Sequence, residues 1–274
     1  MTSLDVEVIR KLANDRVRER LSHIEVFAEI DSTNSYLMQM PAPEPGRLSV
    51  AATNNQTAGR GRFGKIWQSP PGSGLCLSAS YTFVEQPENL PALTLALGLG
   101  VIDALGELGA TGVELKWPND LVALDGKLGG ILTEVQQQSA GTATVVTGIG
   151  VNVDLQGSAE IDMANGWTQQ VVDLERICDV QPSHEQIAAQ FMTHLLQAFL
   201  DFEVSGFESM AERWSRYDWL LGRDITIDTS DRQFSGVGAG IADDGALLVD
   251  TPESGMRRVT SGSIVKAGPR SARP

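Results

Sequence analysis

The sequence predicts an α+β (mixed α/β) fold with a small β-barrel at its C-terminal end, and three observations carry that expectation. Helical and strand-like stretches alternate, with hairpins among them, up to about residue 220. From Gly222 onward the texture changes to short β runs separated by turn signals. The 274 residues, 42% hydrophobic and 20% charged, can bury a core without staples, and they contain no repeat or low-complexity tract.

Taken in order, residues 1–22 read as an amphipathic N-terminal helix with charges of both signs. Ile24 to Ile30 reads as a strand ending at Asp31-Ser32-Thr33-Asn34, where Ser and Thr can cap a helix from Ser35 to Met40 that Pro41, Pro43 and Pro45 stop. Leu48 to Thr53 and Leu75 to Val84 are predicted strands, and the long Gly/Arg-rich connection Asn54 to Gly74 between them marks function. Leu90 to Leu108 is apolar nearly all round and predicts a helix buried on a sheet. Val113 to Leu115 begins a strand, and Lys127 to Gln136 with Ala143 to Val153 suggests an antiparallel pair. Ser183 to Phe202 is a strong amphipathic helix with Ile187, Phe191, Leu195 and Phe199 on one face, and a shorter helix runs to about Trp219. The runs Asp224 to Asp228, Gln233 to Ile241, Ala246 to Val249 and Arg257 to Val265 predict a barrel of about five strands. The tail Lys266 to Pro274 is expected to fray. The expected division is an N-terminal helix over 1–22, a main domain over 23–220 and a small domain over 221–274.

A net charge of −14 repels phosphate backbones and argues against non-specific nucleic-acid binding. No apolar run is expected to cross a bilayer and the first residues do not form a secretory signal, so a cytoplasmic protein is expected. Cys76 and Cys178 suit free thiols better than a disulfide. His23, His184 and His194 lack ligand spacing, and no metal site on protein side chains is expected.

Gly59-Arg60-Gly61-Arg62-Phe63-Gly64-Lys65 matches the first seven positions of a P-loop, but Ile66 stands where the magnesium-binding Ser or Thr belongs. What remains is a cationic island, because Val50 to Val84 contains no Asp or Glu. Glycines let backbone approach a ligand and arginine forks take phosphate or carboxylate oxygens, although composition alone divides evenly between that role and a solvated loop. A single segment of this kind is also too short for a repetitive RNA-contacting tract. The second constellation is Lys116-Trp117-Pro118-Asn119-Asp120 followed by Lys127-Leu128-Gly129-Gly130. A lysine beside bare backbone can steady phosphorus-bound oxygens during nucleotidyl transfer. Local evidence alone favours an exposed Lys127 on a hairpin with Asp125-Gly126 as its turn.

Together, Asp31-Ser32-Thr33-Asn34, Gln56-Thr57-Ala58-Gly59-Arg60-Gly61-Arg62, Lys116-Trp117-Pro118-Asn119-Asp120, Lys127-Leu128-Gly129-Gly130-Ile131-Leu132 and Gly148-Ile149-Gly150-Val151-Asn152 resemble the biotin protein ligase family. Each motif is weak; five in this order are specific, over about residues 24 to 265. The resemblance implies a mixed sheet flanked by helices and an SH3-like C-terminal barrel. It also implies that ATP and Mg2+ convert biotin to biotinyl-5'-AMP, after which a lysine of a biotin carboxyl carrier domain of an acetyl-CoA or related carboxylase takes the biotin.

By the same resemblance, Ser32, Thr33, Asn34 and Gln56 would meet the ureido end of biotin. Arg60, Gly61 and Arg62 would close over the carboxylate and phosphate, with Lys127 bridging them. Gly130 and Leu132 would wall the pocket, while Trp67, Lys116, Asn119 and Asn152 would face the nucleotide. Asp120 would orient or deprotonate the carrier lysine.

Two departures from the family stand out. Only about twenty residues precede the first strand, too few for the winged helix-turn-helix of the repressor-type relatives, so a ligase without DNA binding is expected. The family's C-terminal arginine is absent from Ser263-Ile264-Val265-Lys266-Ala267, leaving Lys266 as the substitute cation. The chain is expected to be a monomer or weak homodimer. The rival readings are a lipoate protein ligase, which a preference for lipoate would reveal, and a non-enzymatic biotin sensor, which specific operator binding would reveal.

Overall fold

The structure, a computed structural model, describes residues 4–68, 70–139, 141–155 and 170–270. In place of one N-terminal helix it has two, α1 (Val6–Leu12) and α2 (Asp15–Arg20). Asp5 and Asn14 each cap a helix, and the second cap breaks the run at Ala13 because its side chain accepts from Val17 N. Strand β1 (Leu21–Phe27) follows at once.

Helix α3 (Thr33–Gln39) starts at the Ser32 cap, two residues before the expected start, and β2 (Leu48–Thr53) falls where the pattern places it. The long connection contains a short hairpin, β3 (Gly59–Arg60) with β4 (Ile66–Trp67), so Lys65 leads into a strand and not into a P-loop helix. Next come β5 (Gly74–Thr82), a 3-10 turn at Leu90–Ala92 and α4 (Leu93–Glu107).

The segment Leu90–Glu107 is long and apolar enough to cross a bilayer by length and composition, which corrects the expectation that no such run exists. Its apolarity is explained by burial, since α4 packs against the strand Gly126–Ser139 and against α5 (His184–Ser205) within the core. Gly100 permits that approach: a Cβ there would lie 2.8 Å from His194 O.

β6 (Glu114–Lys116) and β7 (Asp120–Ala123) form a hairpin around Trp117-Pro118, whose peptide is cis. The Trp117-Pro118 interruption hides β7 in the sequence, which shows only the strand before it. The turn into β8 (Gly126–Ser139) is Leu124-Asp125, both at positive φ, and not Asp125-Gly126. β9 (Thr142–Asn152) completes a seven-stranded mixed sheet, ordered β1-β2-β5-β9-β8-β7-β6, in which β1 and β2 are parallel and the other neighbours antiparallel.

One sheet face carries α4 and α5, whose Ile187, Phe191, Leu195 and Phe199 are buried behind a Ser183/Gln186 capping box; α3 lies against β2, β5 and β9. After α6 (Glu208–Ser215) a second sheet begins at Arg223. Its strands β10 (Arg223–Asp228), β11 (Gln233–Ile241), β12 (Leu247–Thr251), β13 (Gly255–Val259) and β14 (Ser263–Arg270) are antiparallel in the order β13-β12-β11-β10-β14. The expected run Arg257 to Val265 is thus two strands divided near Gly262. The tail to Arg270 does not fray: it pairs with β10, and Arg270 bonds Glu114 at 2.7 Å; residues 271–274 lie outside those described.

Candidate active site

Strand alternation builds the floor of a cavity. On β5, Leu75, Leu77, Ala79 and Tyr81 join the main core, so Cys76 and Ser78 face the opposite side. On β9 the same period puts Gly148 and Gly150 there, and Gly130 and Leu132 of β8 extend the floor. The glycines are required by what lies above. A Cβ on Gly148 would run into Asn34 Oδ1, and one on Gly150 would lie 2.5 Å from Trp67 Cε2.

The first turn of α3 forms one end of the cavity, with Ser32, Thr33 and Asn34 all buried. The Thr33 N–H donates to Gln56 Oε1 at 2.9 Å, and the Thr33 hydroxyl lies 3.0 Å from the same oxygen. Ser78 Oγ lies 2.7 Å from Thr33 Oγ1 and donates to Asn34 Oδ1 at 2.6 Å. Desolvated hydroxyls and amides are thus held in a mutually satisfied network, the environment that orients a polar ligand group.

At the other end, one carboxylate sits between two ammonium groups. Lys116 and Asp120 are register partners on β6 and β7, and Asp120 pairs with Gly130 of β8. Lys127 Nζ donates to Asp120 Oδ1 at 2.7 Å, and Lys116 Nζ lies 3.4 Å from Oδ2. Burial alone would raise the Asp120 carboxyl, but Lys127 and then Lys116 outweigh it and hold it at about 2. Lys116 is pulled down to about 8 by burial, against the attraction of Asp120. Lys127 is not merely exposed on its hairpin, since its ammonium is ion-paired and lies 5.8 Å from the Trp67 ring centroid. Both oxygens of the Asp120 carboxylate are thus engaged, Oδ1 by Lys127 and Oδ2 by Lys116, so it orients the two ammonium groups with respect to each other.

The β3–β4 hairpin covers this space. Arg60, Gly61 and Arg62 line it, with Arg60 Nη2 2.7 Å from Glu134 Oε2 and Arg62 Nη1 donating to Gly262 O at 3.4 Å. Burial lowers the Arg62 pKa, and Asp120 opposes that. Trp67 also lines it, and its buried Nε1 has no hydrogen-bond partner among the described residues.

Of the expected site residues, all but Asn152 line this one cavity. Asn152 is directed elsewhere: its Nδ2 donates to Val172 O (2.9 Å) and Lys127 O (3.3 Å), so it pins the strand that carries Lys127. Lys266 is exposed on β14 and is not among the lining residues, whereas Ser263 and Ile264 are. Lys65 of the cationic segment lines the cavity too, and Cys76, Ser78 and Ile264 line it without having been anticipated. The alternation of large and small residues in Leu75-Cys76-Leu77-Ser78 was the available signal for Cys76 and Ser78.

A mixed sheet holding a pocket that is polar at one end, cationic at the other and covered by a Gly-Arg hairpin defines a carboxylate-activating ligase. Residues 26–152 match the biotin/lipoate A/B protein ligase family, and residues 220–266 match the biotin protein ligase C-terminal domain. The chain is 33% identical over 247 residues to the bifunctional ligase/repressor BirA of Salmonella typhimurium, covering 89% of this chain and 75% of the relative. It is 31% identical to the biotin--[acetyl-CoA-carboxylase] ligase of Mycobacterium tuberculosis, covering 83% of each. Among solved structures it resembles the biotin protein ligase from Aquifex aeolicus in complex with biotin and ATP (TM-score 0.70, 27% identity, 92% of this chain and 100% of that one). The chain belongs to the biotin protein ligase family.

Proposed function

We propose that this chain activates biotin with ATP, giving biotinyl-5'-AMP and pyrophosphate, and then transfers biotin to one lysine of a biotin carboxyl carrier domain of a biotin-dependent carboxylase. The observation that carries this is the convergence of Lys127, the Arg60–Arg62 hairpin and the Thr33–Gln56–Ser78 network around a single cavity. The C-terminal domain match separates this reading from a lipoate ligase, which the match over residues 26–152 alone does not.

In the first step a biotin carboxylate oxygen attacks the α-phosphorus and the bond to the β-phosphate oxygen breaks. Lys127 bridges carboxylate and α-phosphate, and Arg60 and Arg62 neutralise the charge that builds on them. Ser32, Thr33, Asn34 and Gln56 hold the ureido group, Gly130 and Leu132 wall the ring system, and Trp67, Lys116 and Asn119 take the nucleotide end. The only carboxylate lining the cavity among the described residues, Asp120, is occupied by two lysines. The site therefore does not suit a protein-held Mg2+; magnesium accompanies ATP on its phosphate oxygens. In the second step the carrier lysine amine attacks the acyl carbon, AMP leaves and the amine proton passes to solvent. The covering hairpin keeps water from the anhydride in the interval. Both cysteines are free thiols, as suits a reducing cytoplasm.

The test is incubation with ATP, magnesium, labelled biotin and a biotin carboxyl carrier domain, followed by mapping of the label. Label on a single carrier lysine is the expected result; ATP-dependent labelling with lipoate but not biotin would reverse the assignment.

A further inference from the structure

Glu134 has no part in the roles assigned above and is not among the residues lining the cavity. It stands on β8 two residues beyond Leu132 and four beyond Gly130, so the strand period sends its side chain to the face of the cavity floor. One atom, Oε2, accepts from both Asn34 Nδ2 at 3.0 Å and Arg60 Nη2 at 2.7 Å. From Asn34 the hydrogen bonds continue to Ser78 (2.6 Å) and Thr33 (2.7 Å), and the Thr33 N–H donates to Gln56 Oε1 at 2.9 Å. This carboxylate is therefore the junction between the covering hairpin and the polar end of the pocket.

The Arg60 and Glu134 side chains are 43% and 26% exposed, and an ion pair that open adds little to stability. Its consequence is geometric. A guanidinium has five N–H donors in a fixed plane, and among the described residues only Nη2 of Arg60 is engaged. Anchoring that corner restricts how far the group can swing and leaves Nε and Nη1 for an anion in the cavity that Arg60 lines.

We infer that Glu134 is a positioning residue for adenylate formation, holding the Arg60 guanidinium at the cavity so that its remaining donors meet the carboxylate and α-phosphate oxygens. The inference rests on the proposed function, because it acts through the role assigned to Arg60. Glu134→Gln keeps an acceptor for Asn34 but removes the charge that strengthens the bond to Arg60, so the arginine loosens while the biotin end is preserved.

The experiment compares pyrophosphate release by the wild type, Glu134→Gln, Arg60→Ala and the double variant, with thermal melts to confirm folding. Glu134→Gln is expected to lower kcat about tenfold with the KM for biotin within about twofold, a bond of roughly half strength being left behind. In the Arg60→Ala background the same change is expected to do nothing further. Glu134→Asp, which keeps the charge, should recover at least half of the wild-type kcat. The inference is overturned if Glu134→Gln slows both backgrounds equally, if it raises the KM for biotin with kcat unchanged, or if the aspartate variant is as slow as the glutamine one. Arg60→Ala at the wild-type rate would overturn both the inference and the site reading beneath it; a slow Arg60→Ala with additive effects would overturn the inference alone.

Discussion

The Lys116–Asp120–Lys127 cluster sets the pH behaviour of the site. Lys116 falls to about 8 because burial penalises its charge, and the facing Asp120 carboxylate, held at about 2, is what keeps it from falling further. The sign for stability follows: with a folded pKa below the unfolded value, Lys116 costs stability below pH 8 and that cost is relieved as pH rises from about 8 to the unfolded value near 10.4. For function the direction reverses, since the charged form is the one that meets phosphate. Asp120→Asn removes the carboxylate that both lysines face, so the basic limb of KM for ATP should move below pH 8; pyrophosphate-release kinetics at several pH values would show it, and an unmoved limb would refute the coupling. Lys127→Ala should lower biotinyl-AMP synthesis by about 10²–10³-fold in a protein that still melts cooperatively; near wild-type rates would mean that another cation bridges the reacting groups. These residues were legible in the sequence as motifs, but their local context favoured a plain hairpin. That one carboxylate stands between two ammonium groups depends on strand pairing across β6, β7 and β8, which no local pattern encodes.

The elements show the same division between local and non-local information. β2, β9 and α5 were readable because their periodicity is strong, with α5 helped by its capping box. The split between α1 and α2 was hidden because charges of both signs continue through Asn14, and β7 because Trp117-Pro118 interrupts its hairpin. In β9, glycines that look permissive in sequence are steric requirements in space. Gly148 has ordinary φ, so alanine there is tolerated by the backbone and its methyl meets Asn34 Oδ1 and then Ser78 Oγ at 3.2 Å. Gly148→Ala should therefore weaken biotin binding about tenfold or more by displacing Asn34 from the Ser78–Glu134 network, while ATP binding changes little, a loss of one or two buried hydrogen bonds at about 1 kcal/mol each. Calorimetric titration with biotin and separately with ATP distinguishes this from general damage, which would weaken both.

At the scale of the whole molecule, the C-terminal sheet and the segment that leads into it buttress the strands that carry the lysines. Leu115 exchanges backbone hydrogen bonds with Tyr217 O (2.7 Å) and Trp219 N (3.0 Å), and Trp117 Nε1 donates to Gly245 O at 3.0 Å. Arg223 pairs with Asp125 at 2.6 Å and stacks 3.9 Å over Trp219, and Arg270 pairs with Glu114. At the centre of this joint lies Asp218, whose Oδ1 accepts from Leu220 N at 2.9 Å while the buried Oδ2 has no hydrogen-bond partner among the described residues. Burial pushes its carboxyl up to about 7. A raised folded pKa means that the folded chain holds a proton the unfolded chain releases, so the contribution is fully present below about pH 4 and is lost as pH rises through 7. Asp218→Asn, neutral at every pH, avoids that loss. Its melting temperature relative to wild type should accordingly climb between pH 5 and pH 8, by the equivalent of roughly 2–4 kcal/mol. A difference in melting temperature that stays constant over that range would show that the carboxyl ionises in the joint without penalty.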